Sequence, residues 1–600
     1  MEQIKSMFKK KHSFSTVSII VVFLVALFID IDLKLWKEQD RVIEHDVHGY
    51  YTYLPAIFIY DDIKLEKSDY RLGENYYMFW ISHVTDDGVK MVKATSGMSM
   101  LYAPFFFVAH GIAKISDYPA DGFSDPYKLF LLFSALFYLF LGLNYTKKIL
   151  LEYNFSDKHI GVTILIIGVG TNFLAYASQS ATMPHVYNYA LFSMFIFYTI
   201  QWYKNYKLKD IFILGLLLGI ISLVRPTNIL IALFFILYNI NSIHDVKERI
   251  LLFKKEFVRL NLFFPLILIV WIPQFVYWKI TSGSFIFYSY TEEGFYWLDP
   301  KIIEGLFSFR KGWLVYTPVM IFSIIGIFLM KKEVKKLKFV ITAFSVINIY
   351  IIFSWWCWWY GGTFGQRSMI DSYSMLAIPL ASFVQFVDSK KKANYIFYPL
   401  VGFFIWLNIF QTYQFQNQCL HYDSMSMKLY FKQFGIMHRK VDYEKYVDWA
   451  DYNAAKYRGG KKKQEKQEIV NIANLKKVNI IASNGKYLCT EWNRVVIANK
   501  DRPSTWEEYY ILPLKDDKIA ILSYDNLYLS SDLGLKGETT ATKKEVKAWE
   551  TYEVITLDDG YSAFKTTKGS FLSVDPETFE IHFKEGKIGE TERFKIKQIN

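Results

Sequence analysis

A polytopic α-helical membrane part followed by a separate all-β domain is the architecture this sequence predicts. Apolar stretches of about 17 to 25 residues recur between residues 15 and 412, each long enough to cross a hydrocarbon core. Hydrophobic residues make up 52% and aromatic residues 19% of the 600-residue chain, more than an ordinary soluble protein carries. Residues 471–600, by contrast, are polar and alternating. The net charge of +12 raises nucleic acid as a partner, but the lysines gather in short loops between apolar runs, where membrane topology explains them, so nucleic acid is discounted. The 3 cysteines, Cys357, Cys419 and Cys489, have neither metal-ligand spacing nor a disulfide framework.

The first apolar run follows Lys9 to Lys11, ends in Asp30 and Asp32 without a cleavage signal, and reads as a retained anchor with the N-terminus cytoplasmic. The runs read as spans at 15–33, 128–147, 159–178, 186–203, 209–224, 226–240, 258–280, 313–330, 337–356, 370–387 and 395–412, about eleven in all. With that parity the inner loops hold Lys147 and Lys148, Lys204 to Lys209, Lys247 to Lys255, Lys331 to Lys338 and Lys390 to Lys392, and the short outer loops are nearly bare of cations. At LVRPTN, Leu223 to Asn228, Pro226 is taken as a turn between two short spans rather than a kink in one, because the lysine pattern stays consistent only with the turn. Ser96 to Ile115, apolar but interrupted by Pro104, reads as a re-entrant or membrane-hugging helix in a large first outer loop, 34–127.

This topology collects unusual polar residues on the outer face. They are Glu44, His45, Asp46 and His48 after the first span, Asp61 and Asp62, His185 in TMPHVYN, Arg225, Glu292 and Glu293 in SYTEEGFYWLDP, Arg310 and Lys311 in FSFRKGW, and Arg367 in WWCWWYGGTFGQR. Ionisable groups at membrane depth are costly and by default mark function. Asp46 can accept a proton from an attacking hydroxyl or bind a metal, although aspartate is also a favoured helix cap. Arg225, Arg310, Lys311, Arg367 and His185 can neutralise a phosphate leaving group, with arginine donating two parallel hydrogen bonds. Glu44, His48, Glu292 and Glu293 are supporting candidates. Trp359 and Tyr360 could stack on a sugar, or belong to an interfacial aromatic belt.

This arrangement resembles the multispan GT-C glycosyltransferases, the class of protein O-mannosyltransferases and lipid A aminoarabinose transferases. The resemblance covers residues 15 to 440 and rests on HDVHGYYTYLP after the first span, with TMPHVYNYALF, LVRPTN, FSFRKGWLVYTPVM and WWCWWYGGTFGQRSMID. It implies a polyprenyl-phosphate-linked sugar donor, a glycan, lipid or protein acceptor on the extracytoplasmic side of a bacterial cytoplasmic membrane, and inversion, with Asp46 as the base. His45 and Val47 flank Asp46 where the family's usual paired acid would stand, so a divalent cation stays an open question.

Residues 441–470, including RGGKKKQEKQE, read as a charged linker. From residue 471 a threefold repeat with a period of about 42 residues follows: NGKYLC, DNLYLS and KGSFLS, each trailed by TWEEYYIL, AWETYEVI or ETERFKI. This resembles a fascin-like β-trefoil, with Tyr487, Tyr528, Phe571, Trp506 and Trp549 expected in its core and the domain expected outside the cell. Glycan docking and a bland structural cap are its two readings. Two other functions compete with the transferase, a lipid-linked glycan flippase and a glycan-sensing membrane receptor. A flippase would often show repeated halves, which the sequence lacks, and a receptor needs fewer spans.

Overall fold

The computed structural model describes residues 13–38, 41–65, 83–84, 90–290, 293–440, 442–458, 475–491, 495–514, 516–524, 527–530, 539–543, 546, 548–557, 559–567 and 569–599. The chain divides into two units, Met1–Lys461 and Lys462–Asn600.

The first unit is helical. Its principal helices are α1 (Phe14–Leu33), α2 (Asp46–Tyr51), α3 (Gly97–Lys114), α4 (Asp125–Glu152), α5 (Asp157–Gly170), α6 (Pro184–Asn205), α7 (Leu208–Val224), α8 (Phe263–Ser282), α9 (Lys338–Ser354), α10 (Tyr373–Asp388) and α11 (Lys391–Gln416). Six helical runs among the described residues are long and apolar enough to cross a membrane: Phe14–Lys37, Asp125–Glu152, Phe257–Ser282, Lys332–Ser354, Arg367–Asp388 and Lys391–Gln416. Pro226–Ile236 and Pro318–Leu329 are apolar but shorter. The run expected at 159–178 breaks after Gly170, where the Thr171 hydroxyl donates to the Ile167 carbonyl at 2.7 Å and the chain restarts as the short helix Phe173–Ala177.

Local chemistry sets these boundaries. Ser13 caps α1 and Ser156 caps α5, each accepting a backbone N–H at N3. Asp157, in the first turn of α5, takes the Ser15 hydroxyl at 2.5 Å and ties the two helices at that end. Further along, Gly168 lets α5 approach α1, since a Cβ there would collide with the Val22 side chain. Pro104 lies inside α3, whose Tyr102 and Phe106 are buried while Phe107 and Val108 are exposed.

Part of the segment read as a linker, 441–470, lies within the first unit. Residues 443–446 and 452–457 form short helices belonging to the first unit. Arg310 donates to the Asp423 carbonyl at 2.9 Å and to the Asp448 carboxylate at 2.9 Å, and Tyr452 donates to Asp423 Oδ2 at 2.6 Å. Specific buried partners hold this segment, which local composition did not reveal. Residues 459–474 lie outside the described residues.

The second unit is a β-trefoil with twelve strands among the described residues, four per repeat. They are β1 (Lys476–Ala482), β2 (Tyr487–Thr490), β3 (Val496–Lys500) and β4 (Tyr509–Pro513), then β5 (Lys518–Ser523), β6 (Tyr528–Ser530), β7 (Thr540–Lys543) and β8 (Tyr552–Thr556), then β9 (Ser562–Thr566), β10 (Phe571–Val574), β11 (Ile581–Lys584) and β12 (Phe594–Gln598). The first and fourth strands of each repeat pair antiparallel around a closed ring, β1–β4–β5–β8–β9–β12 and back to β1. Closure removes every barrel edge. The inner strands form three hairpins, β2/β3, β6/β7 and β10/β11.

Leu488, Leu529 and Leu572 occupy equivalent buried places, as do Tyr509, Tyr552 and Phe594. Tyr528 and Phe571 are buried as expected and Tyr487 is half-buried. Trp506 departs from expectation: 38% exposed, it lies parallel to Tyr524 with ring centroids 6.1 Å apart instead of filling the core. A buried glutamate also recurs, Glu507, Glu550 and Glu592. Ser530 donates to Glu550 at 2.5 Å and Ser573 to Glu592 at 2.7 Å, and Cys489 stands in the equivalent place of the first repeat, its thiol donating to Glu491 at 3.8 Å.

Candidate functional site

Asp46 opens α2 directly after His45, whose backbone sits at φ 47° and ψ −123°, a conformation that favours glycine. The short helix is anchored beyond it: Ser99 donates to the Tyr50 carbonyl and Tyr51 donates to the Gly122 carbonyl at 2.5 Å. The Asp46 side chain is 47% exposed, and its Oδ2 accepts from Arg367 Nη2 at 2.9 Å. Arg367, only 16% exposed, begins the 3-10 helix Arg367–Ser372, entered through Gly361 and Gly365, both at positive φ.

Arg225 arrives from another part of the chain. Helix α7 stops at Val224, Arg225 is extended, and Pro226 starts the 3-10 helix Pro226–Ile231, so proline's missing donor places the arginine at the break. Helix α3 passes close by: a Cβ on Gly97 would strike the backbone nitrogen of Val224. Arg225 donates to the Ser368 hydroxyl at 3.3 Å, and its guanidinium lies 5.2 Å from the Tyr360 ring centre.

Between these elements is a buried carboxylate that sequence reading passed over. Asp371, 3% exposed, accepts from His185 Nδ1 at 2.9 Å, Asn188 Nδ2 at 3.0 Å and Asn228 Nδ2 at 2.9 Å, with Arg225 Nη1 at 3.7 Å. Its position four residues after Arg367 in GQRSMID was the available signal. Lys93 was also missed; it pairs with Glu293 and lies 5.0 Å from the Tyr290 ring centre. Burial, with the charges of Asp46 and Glu293 nearby, pushes the Tyr290 hydroxyl up to about 12, and burial with Asp46 also raises that of Tyr50. Asp46, Tyr50, Tyr290, Arg225 and Arg367 therefore share one electrostatic neighbourhood.

Arg310, Lys311 and Trp359 form a second cluster. Arg310 is engaged by Asp423 and Asp448 and lies 5.5 Å from the Trp359 ring centre. Trp359 is buried edge-on against Trp358 and Tyr452. Lys311, 2% exposed, donates to the Thr363 carbonyl, and burial lowers its ammonium to about 7 despite the attraction of Asp423. Burial would raise Asp423, but the His421 ring 3.3 Å away and hydrogen bonds from Ser424 and Tyr452 prevail and hold it at about 2.

Glu44 is ion-paired to Arg41 at 3.3 Å, and His48 is buried, its carbonyl accepting from Thr52 Oγ1 at 2.6 Å. Tyr360, at φ 58°, donates to the Ile352 carbonyl at 3.0 Å. Glu292 lies outside the described residues.

Among the described residues Asp46 faces a guanidinium, and one carboxylate so engaged is a poor donor set for a divalent cation, which needs several anionic or neutral oxygens. Among the described residues, His244, Asp245 and Glu248 do place ligand atoms within 4.8 Å of one another. Asp245 Oδ2, however, caps its own helix, accepting from the backbone of Asn241 and Ser242 at 2.8 Å each, and the three residues lie on the exposed face of that helix, where acidic groups are common without an ion. What the Asp46 site can do is withdraw a proton at a half-exposed carboxylate and bind an anion between arginines.

No family model matches the chain, and no curated protein matches it. Solved structures similar to part of it include the designed 3-fold symmetric protein ThreeFoil, 14% identical, covering 20% of this chain and 99% of that one at a TM-score of 0.19. The BEL β-trefoil is 14% identical, covering 22% and 100% at a TM-score of 0.19. The Polyporus squamosus lectin is 12% identical, covering 21% and 49% at a TM-score of 0.19.

Proposed function

We propose that the helical unit is a membrane glycosyltransferase that moves a sugar from a polyprenyl-phosphate donor to an acceptor hydroxyl with inversion. The observation that carries this reading is the pairing of the half-exposed Asp46 with Arg367 at 2.9 Å, with Arg225 in the same electrostatic neighbourhood. In this mechanism Asp46 takes the hydroxyl proton as the acceptor oxygen bonds to the anomeric carbon. The carbon–oxygen bond to phosphate breaks, and polyprenyl phosphate leaves with the electron pair. Arg367 and Arg225 are preorganised donors for the charge gained by that phosphate. Donor binding draws Arg367 from Asp46 toward phosphate and leaves the carboxylate able to act as a base.

The reading includes about eleven spans, N-terminus inside, in a bacterial cytoplasmic membrane, with the site and the trefoil outside; the cation asymmetry of the loops supports it. It also assigns the trefoil to docking a glycan or acceptor, for which the exposed Trp506 beside Tyr524 offers a flat aromatic face.

Purified protein, reconstituted with radiolabelled polyprenyl-phosphate sugars and candidate acceptors, is compared with Asp46→Asn. Transfer by the parent and its loss in a folded variant support the assignment. Equal transfer removes Asp46 as base, and no transfer by the parent to any acceptor overturns the reading.

A further inference from the structure

The environment of Asp371 does more than satisfy a buried charge. Taking a carboxylate out of water costs several kcal/mol unless donors replace the lost hydration, and an apolar residue of similar size would serve stability at least as well. Here three neutral or titratable side chains from two elements, His185 and Asn188 on α6 and Asn228 in the Pro226–Ile231 turn, converge on its two oxygens at 2.9 to 3.0 Å. These contacts fix the direction of the carboxylate. Arg225 is held differently: Nη1 stands 3.7 Å from Asp371 Oδ2 and Nη2 reaches Ser368 Oγ at 3.3 Å, both longer than a tight bidentate pair. Arg225 is thus steered without being consumed, and its side chain keeps 22% exposure. Asp371 and Arg367 also lie on one 3-10 turn, so whatever fixes Asp371 fixes the base of the second arginine. His185 Nε2 and Asn188 Oδ1 are buried without a hydrogen-bond partner, polar capacity beside the arginines that a bound group or a water can use.

We propose that Asp371 is a positioning residue which, oriented by His185, Asn188 and Asn228, sets Arg225 in register with Arg367 as a two-arginine clamp for the phosphate of a lipid-linked group. The inference rests on the anion-site reading of these arginines. It predicts that Asp371 affects phosphate affinity only through Arg225.

The test is a double-mutant cycle on the full chain in detergent, titrated separately with a polyprenyl monophosphate and with inorganic phosphate. Asp371→Asn should weaken binding by about tenfold or more, the scale of one charge-assisted hydrogen bond. Combined with Arg225→Gln it should add nothing beyond Arg225→Gln alone. Asn228→Ala, which leaves both charges in place, should show a smaller loss that likewise vanishes in the Arg225→Gln background. This second variant keeps the test decisive if Asp371→Asn fails to fold. A purely structural Asp371 would lower thermal stability while the binding losses stayed additive, and additive losses or parent-like binding by the single variants overturn the proposal. Binding of inorganic phosphate alone by the parent removes the lipid donor but still reads the Asp371 cycle. Binding of neither anion overturns both the clamp and its positioning residue.

Discussion

Replacing Asp46 by asparagine separates chemistry from stability. The Asp46–Arg367 pair is 2.9 Å long, but the carboxylate is 47% exposed, so water screens it and such a pair contributes about 0–1 kcal/mol. Asparagine keeps the shape and one oxygen that can still accept from Arg367, and the folded state should change by no more than about 1 kcal/mol. The effect on transfer should be far larger. Loss of a positioned general base costs about 100- to 10,000-fold in rate, equivalent to about 2.7–5.5 kcal/mol of barrier. Single-turnover transfer from a radiolabelled donor, measured beside a thermal unfolding midpoint, reads both quantities. Donor affinity should hold or rise, because Arg367 loses its competing anion and is freer to bind phosphate. Transfer within about tenfold of the parent would refute the reasoning, as would a rate loss accompanied by a collapse of the unfolding midpoint.

Gly97→Ala forces a Cβ against the Val224 backbone, so it should destabilise the helical unit by about 1–3 kcal/mol and, by moving the residue next to Arg225, weaken phosphate binding; unfolding and anion titration on one sample check this. Lys311 is held near 7 by burial, below its unfolded value of ~10.4. The unfolded chain therefore binds more protons between those values and stability rises with pH through about 7 to 10. Lys311→Met should flatten that rise and be more stable near neutrality, by at most on the order of 4 kcal/mol; a pH series of unfolding midpoints with unchanged slope in the variant would contradict it. Cys489→Ser places in the first repeat the residue that Ser530 and Ser573 supply in the others, so trefoil stability should change by less than about 1 kcal/mol. Glu550→Ala should cost about 1–3 kcal/mol by removing the buried partner of Ser530, read as faster amide exchange confined to the trefoil.

The class of fold was legible because it rests on periodicity. Continuous apolar runs such as Val17 to Ile29 leave the chain no option but helix at membrane depth, where each backbone donor must be satisfied internally. The recurrence of YLC, YLS and FLS marked three equal β units, and closure of β12 on β1 follows once three such units must bury one core. Helix interruption was less legible. The stop after Gly170 depends on packing, whereas Pro226 announced its break in the sequence.

Candidate site residues were chosen by type and are sorted by geometry. Asp46, Arg225, Arg367 and His185 each stood out as a charge or titratable group beside an apolar run, and so did Arg310 and Lys311. Nothing in the sequence distinguishes an arginine beside Asp46 from one beside Asp448, because residues 46 and 367, or 310 and 448, are hundreds or scores of positions apart. The sequence by itself determined two units, one apolar and helical and one threefold and β, because both follow from the hydrophobic period along the chain. Only the tertiary structure decided which cations meet which carboxylates, and that Asp371 lies beneath the arginines. Pairing across long separations is set by how helices pack, and a buried aspartate four residues after an arginine looks in one dimension like any polar residue on a turn.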